Sequence, residues 1–378
     1  MTNTPRRVLM FLPDLDGGGA QRTFVNLAGA LPEDRVSPTL VAARADGPAR
    51  TWLSAQVPLI DLGVRRVRYA ILPLRRLIHD ARPDVVFATM ADANVIAALA
   101  SFSQTHRPKI ILRETNSHRE RDDIGSLHRK LIGLTYRRAD AIIALSEGVR
   151  RELVEDYELE AARTVTIHNP VDIEGLAATV ESCRREPAPL EGEGRIILAM
   201  GRLHRQKGFD ILIEAFAALA DSSIRLVILG EGEERAALRA QAKNLGVEAR
   251  VHLPGFDARP ERWLAHTDLF VLSSRWEGFG HVLAEAMAAG VPVIAARAPH
   301  GPEEIIEDGK TGLLVPVADP VALTQAMARL LDDRDWACRL AAQARIAVER
   351  FSLPVIADQY AEQIERVARL RDAAGGHQ

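Results

Sequence analysis

The sequence predicts an α/β protein made of two Rossmann-like domains, each a parallel sheet with helices on both faces. Three observations predict it. Short β-branched or apolar runs alternate with helix-length amphipathic segments, the alternation pauses once near the middle, and 378 residues are too many for one ordinary core.

In the first half the apolar runs are VLMFLP (8–13), TLVAA (39–43), PLIDL (58–62), DVVFAT (84–89), KIILRE (109–114), AIIALS (141–146) and TVTIHN (164–169). The segments between them, such as QRTFVNLAGAL and NVIAALASF, have helical spacing. Strands separated by helices of that length pair in parallel, because the crossover needs a helix to return the chain. The pause is ESCRREPAPLEGEG (181–194), with two prolines, two glycines and no apolar period, and it reads as a linker. A second alternating set follows: RIILAM (195–200), RLVILG (225–230), RVHLPG (250–255), LFVLSS (269–274), PVIAAR (292–297) and GLLVPV (312–317). After Ala318 the chain reads as helical, with a break at Ser352-Leu353-Pro354 before a last helix. Two such domains in tandem are expected to face each other across a cleft, with ligands at the carboxyl ends of the strands.

Composition narrows the function. With 47% apolar and 26% charged residues and a net charge of −3, the chain reads as soluble and globular, and no nucleic-acid partner is expected. No apolar run reaches the ~18 residues of a membrane span, and the first residues hold too short an apolar stretch for a signal peptide, so the expected location is cytoplasmic. Cys183 and Cys338 have no metal-ligand spacing and are too few to staple a fold. Residues 65–138 hold 15 basic and 7 acidic side chains. That excess reads either as solvated helix faces or as a surface that meets anionic lipid head groups.

Five stretches could carry chemistry. Asp16-Gly-Gly-Gly-Ala-Gln21 lies between the first strand and the first helix, where glycines such as Gly18 and Gly19 let backbone N–H groups approach an anion, or simply make a tight turn. The Asp14-x-Asp16 pair has a metal-binding look but reads better as loop chemistry, and no metal is expected. Gly201-Arg-Leu-His-Arg-Gln-Lys207 follows a strand, so Arg202 and Lys207 either clamp a diphosphate or form a solvated basic loop. Gly230-Glu231-Gly lacks the third glycine of a dinucleotide fingerprint and reads as a close turn beside a nucleotide. In Leu253-Pro-Gly-Phe256 the ring either packs near a base or fills core.

The fifth is SSRWEGFGHVLAEAMAAG (273–290). Glu277 and Glu285 on one helix would stand ~12 Å apart at 1.5 Å rise per residue, whereas hydrolytic carboxylate pairs stand about 5 to 9.5 Å apart. A division of labour fits better. The amides of Gly278, Phe279 and Gly280 at a helix start suit phosphate oxygens, and each glutamate suits hydroxyls at one end of a sugar nucleotide. The bland reading, a surface glutamate and a helix glutamate, leaves Glu285 in an otherwise apolar helix that makes its burial costly without partners.

These residues, taken together, resemble a known family. GGGAQR (17–22), RADAIIALSEGV (138–149), HNPVD (168–172), GRLHRQKGFDILIEAF (201–216), LVILGEGEER (226–235), HTDLFVLSS (266–274), WEGFGHVLAEAMAAGVPVIA (276–295) and DGKTGLLVP (308–316) occur in the order seen in the retaining glycosyltransferases of family 4, which have the GT-B fold. The resemblance spans nearly the whole chain. It implies that Glu277 and Glu285 are the family's E-x7-E pair, Glu285 on the ribose and Glu277 on the donor sugar. It also implies that Arg202 and Lys207 neutralise the leaving diphosphate in place of a metal, so that no cofactor is needed. Such preorganised charge is a large catalytic term.

The donor is then a nucleotide sugar, most often UDP-linked, and the sugar moves with retention to a hydroxyl deprotonated by the departing phosphate oxygen. Many members carry a first-domain histidine against the donor sugar; His118 after KIILRE is the candidate, with Asn116 or Thr115 as alternatives. The most similar subgroup transfers hexoses or N-acetylhexosamines to lipopolysaccharide core or lipid-linked oligosaccharides. That implies a saccharide or lipid-linked acceptor and a peripheral place on the inner membrane face, with Arg119, Arg121, Arg129, Lys130, Arg137 and Arg138 facing solvent or lipid. The expected domains are an acceptor-side domain (1–180), a linker (181–194), a nucleotide-sugar domain (195–350) and a C-terminal helix (351–378) packed back on the first domain. The competing classes are an epimerase or hydrolase of the same fold and a non-catalytic nucleotide-sugar-binding protein.

Overall fold

The computed structural model of the chain describes residues 4–16, 18–102, 104–119 and 125–375, and side chains as far as residue 369. It divides into two compact units, 1–170 with 353–378 and 171–352.

All thirteen apolar runs form strands; the central ones, such as Val85–Thr89, Ile196–Met200 and Leu269–Leu272, are buried along their whole length, as a sheet covered on both sides requires. In the first unit they are β1 (Arg6–Asp14), β2 (Val36–Arg44), β3 (Leu59–Asp61), β4 (Val85–Thr89), β5 (Lys109–Glu114), β6 (Ala141–Ala144) and β7 (Thr164–Thr166). The helices among them are α1 (Gly19–Ala30), α2 (Ile71–Ala81), α3 (Ala91–Phe102), α4 (Ser126–Tyr136) and α5 (Glu147–Tyr157). The sheet is parallel throughout, in the order β3-β2-β1-β4-β5-β6-β7, with Val8 to Phe11 of β1 in register with Val85 to Ala88 of β4.

In the second unit the helices are α6 (Ile173–Cys183), α7 (Phe209–Ala217), α8 (Arg235–Asn244), α9 (Glu261–Leu264), α10 (His281–Ala288), α11 (Pro302–Ile305), α12 (Pro320–Asp332) and α13 (Arg334–Ala347). The strands β8 (Ile196–Met200), β9 (Arg225–Leu229), β10 (Val251–Gly255), β11 (Leu269–Leu272), β12 (Val293–Ala296) and β13 (Leu313–Val315) order as β10-β9-β8-β11-β12-β13, all parallel. The last helix, α14 (Leu353–Gly375), belongs to the first unit. Its Ile356, Tyr360, Ile364 and Val367 are buried in one core with Phe24 of α1 and Phe87 of β4.

Strand order decides where ligands bind. Chain direction away from the sheet centre reverses between β1 and β4 in one sheet and between β8 and β11 in the other, so the loops after these strands part and leave a crevice at the carboxyl edge. Arg202 and Lys207 follow β8, and Glu277 follows β11. The 181–194 stretch does not stand between the units. Asp172 caps α6 by accepting from the Gly175 N–H, α6 runs to Cys183 within the second unit, and Arg225 donates to the carbonyls of Glu191, Gly192 and Gly194. The chain changes units at Pro170–Val171, ahead of that stretch.

Candidate functional site

In the second unit two turns from neighbouring strands are stapled together. The Arg275 N–H donates to the Gln206 carbonyl (2.7 Å), Gln206 Nε2 to the Trp276 carbonyl (3.0 Å) and Ser273 Oγ to the Lys207 carbonyl (2.9 Å). Arg275 adds a fork on Asp210 at 2.8 and 2.7 Å. Burial pushes the Asp210 carboxyl up, but the Arg275 guanidinium outweighs it and holds the group below the usual aspartate range. Gly208 sits at the tightest point. Its φ is +61°, and a Cβ there would lie 2.2 Å from the Ser273 carbonyl oxygen.

That staple brings the sequence-predicted charges together. Lys207 Nζ donates to Glu277 Oε1 at 2.6 Å, and Ser274 Oγ donates to the same oxygen at 2.6 Å. Glu277 is 5% exposed, and its Oε2 has no partner among the described residues. The Arg202 guanidinium is exposed and makes no ion pair or hydrogen bond among the described residues.

Gly280, with φ +97°, opens α10 without a side-chain cap. Gly278, Phe279 and Gly280 are buried, and the Phe279 ring stacks edge-on against Phe351 at 5.2 Å, so only its backbone is left to meet a ligand. One helical turn on, Glu285 Oε1 lies 3.4 Å from His281 Nε2, a partner that offsets its placement among apolar neighbours.

Gly230 is required by the protein itself. A Cβ there, at φ +137°, would lie 1.9 Å from the Gly201 carbonyl, and so the turn after β9 packs directly on the Arg202 turn. Glu231 is exposed and pairs with Arg235 at 3.1 Å. Phe256 at the end of β10 is 74% exposed and so does not fill core.

The first unit carries its own set of predicted residues. Gly18 and Gly19 are exposed at the start of α1, and a Cβ on Gly19 would meet nothing within 4 Å; Gly17 lies outside the described residues. The acidic pair beside them is committed locally, Asp14 to Gln21 Nε2 (3.0 Å) and the Asp16 N–H (3.1 Å), Asp16 to Arg44 (2.8 Å). No cluster of three His, Cys, Asp or Glu among the described residues could hold a metal.

His118 is fully buried. Its Nδ1 meets the Tyr157 hydroxyl at 2.8 Å and its Nε2 meets Glu114 at 3.0 Å. Burial pushes the Tyr157 hydroxyl up to about 12, so it stays protonated at neutral pH. Burial likewise pushes the Glu114 carboxyl up, but His118 and the Tyr136 hydroxyl (2.6 Å) outweigh it and hold the group below its ordinary value. Buried Glu152 clamps the rest of the loop, accepting from Ser117 Oγ (2.6 Å) and from the His118 (2.6 Å) and Arg119 (3.0 Å) N–H groups. With its ring so enclosed, His118 presents nothing to solvent here. Of residues 115–118 only Asn116 is exposed.

Sequence reasoning missed Ser274, Gln206, Glu152 and the Asp210–Arg275 fork. Gln206, Glu152 and the fork act on residues far away in the chain, and Ser274, only three residues from Glu277, is marked by no local pattern.

Comparison with known proteins places both halves of the chain among glycosyltransferases. A model described as "Glycosyltransferase Family 4" matches residues 17–174, and one described as "Glycosyl transferases group 1" matches 180–347. The lipopolysaccharide core biosynthesis glycosyltransferase LpsE of Rhizobium meliloti is 29% identical over 91% of this chain and 94% of its own. An N-acetylgalactosaminyltransferase of Campylobacter jejuni that acts on a diphospho-undecaprenol-linked sugar is 28% identical over 71% of this chain and 72% of its own. Among solved structures, Anabaena HepE in complex with UDP-glucose superposes with a TM-score of 0.82 at 24% identity, over 96% of this chain and all of that one. With both units matched by these models, the chain belongs to glycosyltransferase family 4 and is a retaining glycosyltransferase of the GT-B fold.

Proposed function

We propose that the protein moves a hexose or N-acetylhexosamine from a UDP-sugar to a saccharide or lipid-linked saccharide. The observation that carries this reading is the convergence of Arg202, Lys207, Glu277 and the uncapped start of α10 at one switch point. Arg202 and the α10 amides meet the diphosphate, where fixed positive charge stabilises the leaving group as the glycosidic C–O bond breaks. Glu277 accepts from a sugar hydroxyl through Oε2, Glu285 accepts from the ribose, and the exposed Phe256 ring stacks on the base. The acceptor oxygen bonds to the anomeric carbon on the face the phosphate leaves, and its proton passes to the departing phosphate oxygen. In the first unit, the polar group of the 115–118 loop available to a ligand is Asn116.

The bound UDP-glucose of HepE and the lipid-linked or lipopolysaccharide acceptors in the relatives' names support the donor and acceptor classes. A thermal-shift screen of UDP- and GDP-sugars tests the donor, since a ligand at 100 times its Kd adds about 2.7 kcal/mol. UDP release that rises on adding a saccharide acceptor marks a transferase. Release independent of acceptor marks a hydrolase.

An anionic membrane surface is the partner we assign to the first unit. No helix among the described residues is long and apolar enough to cross a membrane. Helices α2 and α4 both pack on α3 and expose Leu72 on one side and Leu127, Leu131 and Leu134 on the other, beside Arg75, Arg76, Lys130 and Arg138. Of the other predicted cations, Arg119 pairs with Glu155 and Asp156, Arg137 pairs with Glu158, Arg129 donates to the His118 carbonyl, and Arg121 lies outside the described residues. Liposome co-sedimentation should rise with anionic lipid content; indifference to it would remove this assignment.

A further inference from the structure

The Ser274 hydroxyl has no place in the donor contacts, yet it is fully buried at the end of β11 and bonded to a motif carboxylate. Its bond and that of Lys207 fall on the same atom, Glu277 Oε1, each at 2.6 Å. A carboxylate has two equivalent oxygens, so this asymmetry is imposed by the surroundings. It leaves Oε2 with no partner among the described residues, as the oxygen of this carboxylate that can accept from a ligand.

We infer that Ser274 is a positioning residue for the donor sugar. It fixes which oxygen of Glu277 is taken by the protein and which receives the sugar hydroxyl. Lys207 alone does this poorly, because an ammonium on a four-carbon stem follows a rotating carboxylate and can pair with either oxygen. The serine hydroxyl, on a short side chain beside a buried strand, defines one geometry. The same pinning keeps the ammonium 2.6 Å from the carboxylate and leaves Arg202 as the cation with no protein partner among the described residues. Losing the hydroxyl should therefore weaken the grip on the sugar while leaving the nucleotide contacts in place. This inference rests on the reading that Glu277 holds the sugar.

The experiment measures Kd for UDP and for whichever of UDP-glucose, UDP-galactose and their N-acetyl counterparts most stabilises the wild type, in Ser274→Ala, Ser274→Cys and Glu277→Gln. A charge-assisted hydrogen bond of ordinary strength predicts that UDP-sugar binding weakens about 10-fold or more in Ser274→Ala. Ser274→Cys, which is slightly larger and offers a weaker donor, should fall on the same side. UDP binding should stay within about two-fold in both. Unchanged UDP-sugar affinity in both serine variants, or equal loss for UDP and UDP-sugar, overturns the role of Ser274 alone. Wild-type UDP-sugar affinity in Glu277→Gln would instead overturn the donor reading beneath it.

Discussion

At the scale of single residues, the site separates groups that the fold needs from groups left for a ligand. Gly208→Ala places a Cβ against the Ser273 carbonyl at positive φ; it should destabilise by roughly 2 kcal/mol or more and loosen the Lys207 turn, as chemical denaturation would show. Gly19→Ala meets nothing in the protein. It should keep the melting temperature and lower kcat/KM, whereas full activity would make that glycine a plain turn residue. Glu285→Ala should lower kcat/KM about 10- to 100-fold for loss of hydrogen bonds to a charged group, checked by steady-state kinetics with a UDP-sugar. The two glutamates and the two cations were legible in the sequence because glycines fix the turns around them and the turns sit at strand ends. Ser274 was not legible, since a serine at a strand end is ordinary until Glu277 and Lys207 are seen on one side of it.

Secondary elements were read almost completely, because a strand covered on both faces leaves a continuous apolar run that a helix of this length does not. The boundary at 181–194 illustrates where composition misleads. Prolines and glycines there signal a break in periodicity, but Arg225 holds the segment on the second unit, and the crossing itself is made at Pro170–Val171. Strand β10 gives a test in pH. Burial, aided by the nearby Arg225, holds the half-buried His252 imidazole below its ordinary value. A group with a depressed folded value contributes stability that is full above the unfolded value near 6.5 and is lost as the pH falls through the folded value. The urea midpoint should therefore decline between pH 7.5 and 5.5, and His252→Asn should flatten that decline. An unaltered pH dependence in the variant would show that His252 is not its source.

For the whole molecule, the decisive element is the last helix. Ile356, Ile364 and Val367 of α14 are buried in the first unit's core, and at about 1.5 to 3 kcal/mol for each side chain they contribute about 5 to 9 kcal/mol, as much as many domains have in total. Arg35 adds a fork on Glu365, and the fully buried Arg113 donates to Tyr360 as well as to Thr89 and Asn169. A chain ended at Ser352 should leave the first unit unfolded by circular dichroism while the second keeps its UDP-induced stabilisation. Tyr360→Phe, which leaves Arg113 Nε without its acceptor, should cost about 1 to 3 kcal/mol. The sequence by itself determined the strands, their parallel pairing, the order of the motifs and the family, because these depend on local period and on residues near one another in the chain. The tertiary structure alone decided that His118 is enclosed and Asn116 exposed, that Ser274 shares an oxygen with Lys207, and that Arg113 is buried against Tyr360 of the last helix. Those facts depend on which distant side chains meet in a buried place, and burial is a property of the folded chain.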